Sequence, residues 1–128
     1  MNTLLVMAGG AIGAGLRYQL GRWAFHLAGP GWPWGTFAAN VLGGLAMGLL
    51  VGVMARTGLS AGAGESVRLA VGVGLLGGFT TFSAFSLEVV LMAERGALLG
   101  AAGYALASVL LSVLALLAGL MLARQMAW

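Results

Sequence analysis

The sequence consists of long apolar stretches separated by short polar ones. A helix that crosses a bilayer needs about 20 mostly apolar residues, and the stretches that satisfy this are Thr3–Leu27, Pro33–Ala55, Arg68–Ala93 and Ala97–Ala123. The second stretch would rise roughly 34 Å as an α-helix. The pattern therefore predicts an all-α membrane protein with four transmembrane helices in a single domain, residues 1–128.

The segments between these stretches are short. Gly29 to Trp34 holds both prolines of the chain and is predicted to be a turn. Its Trp32 and Trp34 suit the aromatic belt at a membrane surface. Arg56 to Ser66 is the longest polar segment and is predicted to be a surface loop, and Glu94 to Gly96 is predicted to be a second turn.

Composition supports a membrane location. Charged residues are 7% of the chain and hydrophobic residues 61%, whereas charged residues are about 25% of a typical soluble domain. In lipid, each helix satisfies its own backbone and its surface can be apolar. The absence of cysteine excludes disulfides and thiolate metal sites, and the scattered arginines give no nucleic-acid footprint. The apolar N-terminus lacks the basic stretch of a signal peptide, so it is interpreted as a span.

The arginines are balanced between the two sides of the membrane. With four spans, the N-terminus, the 56–66 loop and the C-terminus share one side. That side carries Arg56, Arg68 and Arg124, and the other carries Arg17, Arg22 and Arg95. This balance sets no orientation by the positive-inside rule. Either Arg17 lies too deep to count, which leaves a weak bias, or the chain inserts both ways and pairs antiparallel.

Glycines spaced by four residues mark faces where helices approach closely. They are Gly9 and Gly13 on the first span, Gly44, Gly48 and Gly52 on the second, and Gly74 and Gly78 on the third. Four short helices enclose little volume by themselves, so an oligomer is expected.

The segment from Gly77 to Ser86 is the most unusual in the chain, because glycines, threonines and serines are poor helix formers in the middle of a span. One interpretation is a break in the third helix, whose freed carbonyls must be buried, wetted or bound to an ion. The other is an intact helix whose Ser and Thr hydroxyls bond to the preceding turn.

Several polar or aromatic side chains lie inside the spans. Asn40, one turn after Thr36, either bonds a neighbouring helix or donates to an anion. Phe82 and Phe85 share a helix face, either for packing or because the positive ring edge can face an anion. The hydroxyls of Tyr104, Ser108 and Ser112 recur every four residues and form either a polar track or a hydrogen-bonded seam between helices.

Ionisable groups inside a membrane are costly and are usually paired or functional. Arg17 and Glu88 are the main candidates here. The sequence shows no carboxylate pair, nucleophile with base, metal-ligand cluster or phosphate loop, so an enzyme is not expected.

Together these segments resemble the Fluc/CrcB family of fluoride channels. The matching residues are Gly9 to Tyr18, Gly35 and Thr36 with Asn40, Gly43 and Gly44, Gly77 to Phe85, and Tyr104 with Ser108. The segment from Gly77 is the most specific. Ala84, Ala38 and Ala39 depart from the usual family pattern.

The resemblance implies an antiparallel, dual-topology homodimer with two fluoride pores in a bacterial inner membrane, exporting fluoride passively from the cytoplasm. It also implies a structural sodium ion, held by the main-chain carbonyls of Gly77 and Thr80 from both subunits and not transported. By the same resemblance, Arg17 and Glu88 lie near pore mouths. The residues it places along the pore are Asn40, Thr81, Phe82, Ser83, Phe85, Tyr104, Ser108 and Ser112.

Two other functions remain open at this point. A small multidrug exporter also has four short spans, but it needs a carboxylate in the first span, where this chain has Arg17 and no acidic residue. A structural subunit without transport activity would explain the glycine faces, but not the aligned hydroxyls or a broken third helix.

Overall fold

The protein is described from a computed structural model, which covers residues 1–59 and 62–126. Within these ranges the chain is helical and contains no strand. The helices are α1 (Asn2–Ala28), α2 (Trp34–Thr57), α3 (Ala63–Val67, Arg68–Leu76 and Gly77–Phe79 in succession), α4 (Phe82–Glu94) and α5 (Leu98–Gln125). The third predicted span thus corresponds to α3 and α4 together. The helices divide the described chain into the four apolar segments that were predicted.

The helices α2, α3 with α4, and α5 are each long and apolar enough to cross a membrane. Helix α1 is 27 residues long but is not one of these three helices, because Arg17 and Gln19 in its interior lower its hydropathy. Large apolar side chains cover the outside of the chain, and Leu99 is 90% exposed. Exposed apolar surface on this scale fits a chain surrounded by lipid.

Helices α1 and α3 run parallel and touch through their backbones. A Cβ atom on Gly9 would overlap the carbonyl oxygen of Ala70, and one on Gly13 would overlap that of Leu75. Gly78 also lies close to Gly10, since a Cβ there would come within 2.6 Å of the Gly10 oxygen. The predicted glycine faces of the first and third spans are confirmed.

Helices α2 and α5 form a second parallel pair. A Cβ on Gly48 would overlap the carbonyl oxygen of Leu116, and one on Gly119 would overlap that of Leu45. Gly44 and Gly52, on the same face of α2, lie against Ser112 and Ala123. The α2 glycine face therefore also serves helix packing, as predicted.

The predicted loop from Arg56 to Ser66 is shorter than expected. Helix α2 continues to Thr57 and ends at Gly58 in the left-handed conformation, with φ +63°, and α3 already begins at Ala63. Arg56, Thr57, Glu65 and Ser66 therefore lie in helix ends and not in a loop, and Glu65 binds Arg68 one turn later at 2.8 Å. Residues 60 and 61 of the predicted loop lie outside the described residues.

One feature of α3 has no signal in the sequence. Arg68–Leu76 has π-helical hydrogen bonding over 9 residues, whereas π-helix normally occurs as single-turn bulges. Gly77 closes this segment, and its N–H bonds the carbonyls of Gly72 and Gly74. The π-helical segment thus ends at Leu76, shortly before Phe79, the last residue of α3.

Candidate functional site at the helix break

The third span is broken two residues after Gly78. Thr80 (φ −81°, ψ 156°) and Thr81 (φ −152°, ψ 123°) are extended, and α4 begins at Phe82. The break predicted in this segment is confirmed, and the intact helix is wrong. The Thr80 hydroxyl does bond the Leu76 carbonyl at 2.9 Å, but it does so at the end of α3 and not within a continuous helix.

Asn40 pairs with the extended backbone across the helix interface. Its Nδ2 donates to the Thr81 carbonyl at 3.0 Å, and its Oδ1 accepts from the Thr81 N–H at 2.8 Å. The predicted bond to a neighbouring helix is therefore present, with backbone atoms as partner. Because a side-chain amide has two N–H groups, one remains for a ligand.

Thr81 also starts the next helix. Its hydroxyl accepts from the Ala84 N–H at 3.2 Å as the N-cap of α4. Ser83, which was placed along the pore, is exposed, with its hydroxyl 3.3 Å from that of Thr81. It does not line the cavity described next.

A cleft of about 390 Å³, here called the break cleft, opens beside the break between α2 and α5. Most of the residues predicted to line a pore meet there. Its polar or aromatic walls are Asn40, Thr80, Thr81, Phe82, Phe85, Ser108 and Ser112. Towards the far end the walls become apolar, with Met47, Val113 and Leu116.

The two phenyl rings of the break cleft contact each other but differ in exposure. Their centroids are 5.5 Å apart, as expected for residues on one helix face. Phe85 is 9% exposed and belongs to the core with Tyr104, whereas Phe82 is 76% exposed. One ring is thus fixed by packing, while the other is free to contact a ligand or a second chain.

Ser108 and Ser112 place two unpaired hydroxyls on the cleft wall. Both oxygen atoms are buried, and neither has a hydrogen-bond partner of normal geometry among the described residues, although the Ser108 hydroxyl lies near that of Tyr104. Buried polar atoms nearly always have a partner, so these two point to a ligand or water in the break cleft. The alternative of a hydrogen-bonded seam between helices is not seen at these two serines.

Tyr104, the first hydroxyl of the stripe, is tied to a carboxylate. It is fully buried, and its ring lies 5.0 Å from that of Trp32 and 5.3 Å from that of Phe85. Its hydroxyl donates to Glu88 Oε2 at 2.7 Å, and the Thr36 hydroxyl donates to Oε1 at 2.7 Å. Both oxygens of this half-buried carboxylate therefore receive a donor from a different helix.

Glu88 also lines a second cleft, here called the arginine cleft, of about 570 Å³. Its other walls include Arg17, Arg22, His26 and Thr36. Arg17 Nε donates to the Gly78 carbonyl at 3.2 Å, at the end of α3. Glu88, in the wall of the arginine cleft, is thus bonded to Tyr104, whose ring contacts Phe85 in the wall of the break cleft.

The predicted ion ligands Gly77 and Thr80 lie on the two sides of the end of α3. A helix end leaves its last carbonyls without N–H partners. Those of Leu76 and Gly78 accept from Thr80 and Arg17, while those of Gly77 and Thr80 accept no hydrogen bond from residues 1–59 or 62–126. Gly77 is exposed. Across those ranges no group of three His, Cys, Asp or Glu residues forms a metal site.

Sequence reasoning missed three contacts of this site, among them the bond from Tyr104 to Glu88. Thr36 was noted only for its spacing to Asn40, and its bond to Glu88 joins residues 52 positions apart. The bond between Arg17 and Gly78 spans 61 positions. The only available signal was that an ionisable group at membrane depth needs a partner.

Comparison with known proteins gives a consistent result. A family model described as CrcB-like protein, Camphor Resistance, matches residues 4–120. A protein of Phenylobacterium zucineum named fluoride-specific ion channel FluC is 63% identical over 123 residues, covering 95% of this chain and 94% of that protein. Proteins of the same name from Mesorhizobium japonicum and Sphingopyxis alaskensis are 54% and 52% identical, each covering 98% of both chains.

Proposed function

Since this chain belongs to the CrcB-like family, we propose that it is a fluoride-selective ion channel. The observation that carries the proposal is the break cleft, because an amide, two unpaired hydroxyls and two phenyl rings line this one cavity. The relatives named as fluoride-specific channels match over nearly their whole length, which supports the same assignment.

The chemistry of the break cleft suits a small, strongly hydrated anion. A pore must replace the water that fluoride loses, and the hydroxyls of Ser108 and Ser112 and the second N–H of Asn40 are donors for this purpose. The edges of Phe82 and Phe85 add partial positive charge. Among the described residues no guanidinium lines this cleft, so an anion is held without a fixed cation and can leave again.

The path that we propose runs from the break cleft past Tyr104 and Glu88 into the arginine cleft. Arg17 and Arg22 there raise the local concentration of anions. The carboxylate of Glu88 lies on this path, but its two oxygens are occupied by hydroxyl donors. The hydroxyls of Thr36 and Tyr104 therefore converge on this point of the proposed path.

We further propose that two antiparallel copies form the channel. In one chain, Phe82 and Gly77 are exposed next to the break, and a second copy would cover them. The balanced arginines favour insertion in both orientations. The α1 helix, which runs parallel to α3 along its glycine face, is proposed to cross the bilayer as the fourth span.

The carbonyls of Gly77 and Thr80 would hold a structural sodium ion between the copies. Carbonyl oxygen is a suitable ligand for a hard cation, and both groups lack donors at the end of α3. Two carbonyls are too few for one ion, but a two-fold axis would double them. When bound, the ion supplies positive charge that neutralises converging helix ends.

Passive flow would be enough for export. A single charge crossing 100 mV gains about 2.3 kcal/mol, which sustains roughly a fiftyfold gradient. A negative cytoplasm therefore drives fluoride outward across the inner membrane without coupling to protons.

The test is fluoride efflux from liposomes that contain the purified protein, read with a fluoride electrode beside a chloride control. Rapid fluoride efflux without chloride efflux is expected. Folded protein that releases neither ion would refute the channel and return the function to the exporter and the structural subunit. Cross-linking of single-cysteine variants near Phe82, in membranes, tests the dimer separately.

A further inference from the structure

Arg17 continues the face by which α1 contacts α3. Gly9, Gly13 and Arg17 follow at four-residue intervals, so they lie on one side of the helix. A Cβ on Gly13 would come within 2.8 Å of the Phe79 nitrogen, which places this face against the last turn of α3. One turn further, Arg17 Nε reaches the Gly78 carbonyl at 3.2 Å.

The end of α3 is a favourable place for a guanidinium. The last carbonyls of a helix lack N–H partners and carry the negative end of the helix dipole, and a cationic donor makes a stronger hydrogen bond to them than a neutral one. Among the described residues the one ion pair joins Glu65 and Arg68. The partner of Arg17 at membrane depth is therefore a carbonyl and not a carboxylate.

We propose that Arg17 is a positioning residue that fixes the end of α3 and so keeps Thr80 and Thr81 extended. Asn40 holds the same segment from α2, through both polar groups of the Thr81 backbone. A side chain from a neighbouring helix therefore bonds the backbone on each side of the break, Arg17 at Gly78 and Asn40 at Thr81. This role differs from that of a charge at a pore mouth, which needs no bond to the break.

Arg22 provides the matched control. It lines the same arginine cleft and carries the same charge, but among residues 1–59 and 62–126 it makes no hydrogen bond to the break. A role that depends on charge alone would be shared by Arg17 and Arg22. A positioning role would belong to Arg17 only.

Two substitutions separate the bond from the charge. In Arg17→Gln the amide nitrogen lies the same number of bonds from Cα as Nε does in arginine, so the donor is kept and the charge is lost. Arg17→Met has the same length but neither donor nor charge. Arg22→Gln and Arg22→Met repeat both changes at the control position.

Hydrogen exchange of the backbone amides, measured in lipid nanodiscs, reports the break directly. The Thr81 N–H bonds Asn40 and the Ala84 N–H bonds the Thr81 hydroxyl, so both are protected while the break is ordered. In Arg17→Met their exchange should be about tenfold faster or more, as expected for the loss of a charged hydrogen bond. Arg17→Gln should stay within about threefold of the original protein, and both Arg22 variants should match it.

Equal exchange in the two Met variants, or the same increase in Arg17→Gln as in Arg17→Met, would overturn the proposal. If Arg17→Met does not fold, Arg17→Gln decides: retained protection supports the bond, and lost protection refutes it. Exchange does not depend on ion flow, so failure here is distinguishable from failure of the fluoride channel.

Discussion

Asn40 and Thr81 are joined by two hydrogen bonds, of 3.0 and 2.8 Å, between a side-chain amide on α2 and the extended backbone of the third span. The pair has the donor and acceptor pattern of two neighbouring β-strands. It satisfies backbone groups that the helix break would leave unpaired inside the membrane. The residue that supplies a donor to the break cleft therefore also holds the cleft in shape.

Asn40→Asp should nearly abolish fluoride flux, by about tenfold or more. The carboxylate keeps the acceptor for the Thr81 N–H, but it faces the Thr81 carbonyl without a donor and repels an anion in the break cleft. Efflux from liposomes measures the effect, with gel filtration as the control for folding. Unchanged flux would mean that Asn40 serves only to pack the helices.

Phe82→Ile should reduce fluoride flux while the protein remains folded. Phe82 is 76% exposed in the chain, so its replacement removes little packing within one subunit, but it removes the positive ring edge from the cleft wall. Phe82→Tyr keeps the ring and is the matched control. If the isoleucine variant conducts normally, the ring has no part in conduction.

Ser108→Ala should lower fluoride flux without lowering stability. An unpaired buried hydroxyl costs about 1–3 kcal/mol, so its removal should leave the midpoint of thermal unfolding in detergent unchanged or higher. Loss of one donor to the ion should reduce flux by about three- to tenfold. Ser66→Ala, at an exposed position near the start of α3, is the control, and a clear loss of stability in Ser108→Ala would show that this hydroxyl has a structural partner.

Leu116→Ser should raise fluoride flux by about threefold or more, because apolar constrictions oppose ions. The hydroxyls at Tyr104, Ser108 and Ser112 recur every four residues, and the next position of the series, Leu116, lines the apolar end of the break cleft. Leu114→Ser, on the exposed side of α5, tests for a general effect of a hydroxyl on this helix. Equal flux in the two variants would place the rate-limiting barrier elsewhere.

The helices and their glycine contacts were predictable because they depend on local pattern. Apolar length fixes the spans, and glycines four residues apart fix the faces on which α2 meets α5. The helix break was an open alternative from composition, and the family resemblance favoured it. The loop after Arg56 was predicted too long, because Thr57, Glu65 and Ser66 belong to helix ends instead.

The partners of individual polar groups were not predictable from the sequence. Whether Asn40 binds a side chain, a ligand or a backbone depends on the dihedral angles of Thr80 and Thr81, which exist only after the break forms. Of the two donors of Glu88, Thr36 lies 52 positions earlier in the chain and Tyr104 lies 16 positions later, on the next helix. Spacing identifies which residues share a face, but the opposite helix decides what they bind.

The pairing of Asn40 with Thr81 also bears on how the chain enters the membrane. A span with a two-residue gap in its hydrogen bonding is costly in lipid until that gap is covered. The covering residue lies 41 positions earlier in the chain, so ribosomal synthesis delivers α2 to the bilayer before the break arrives. The order of the helices along the chain thus provides the break with its partner at the moment of insertion.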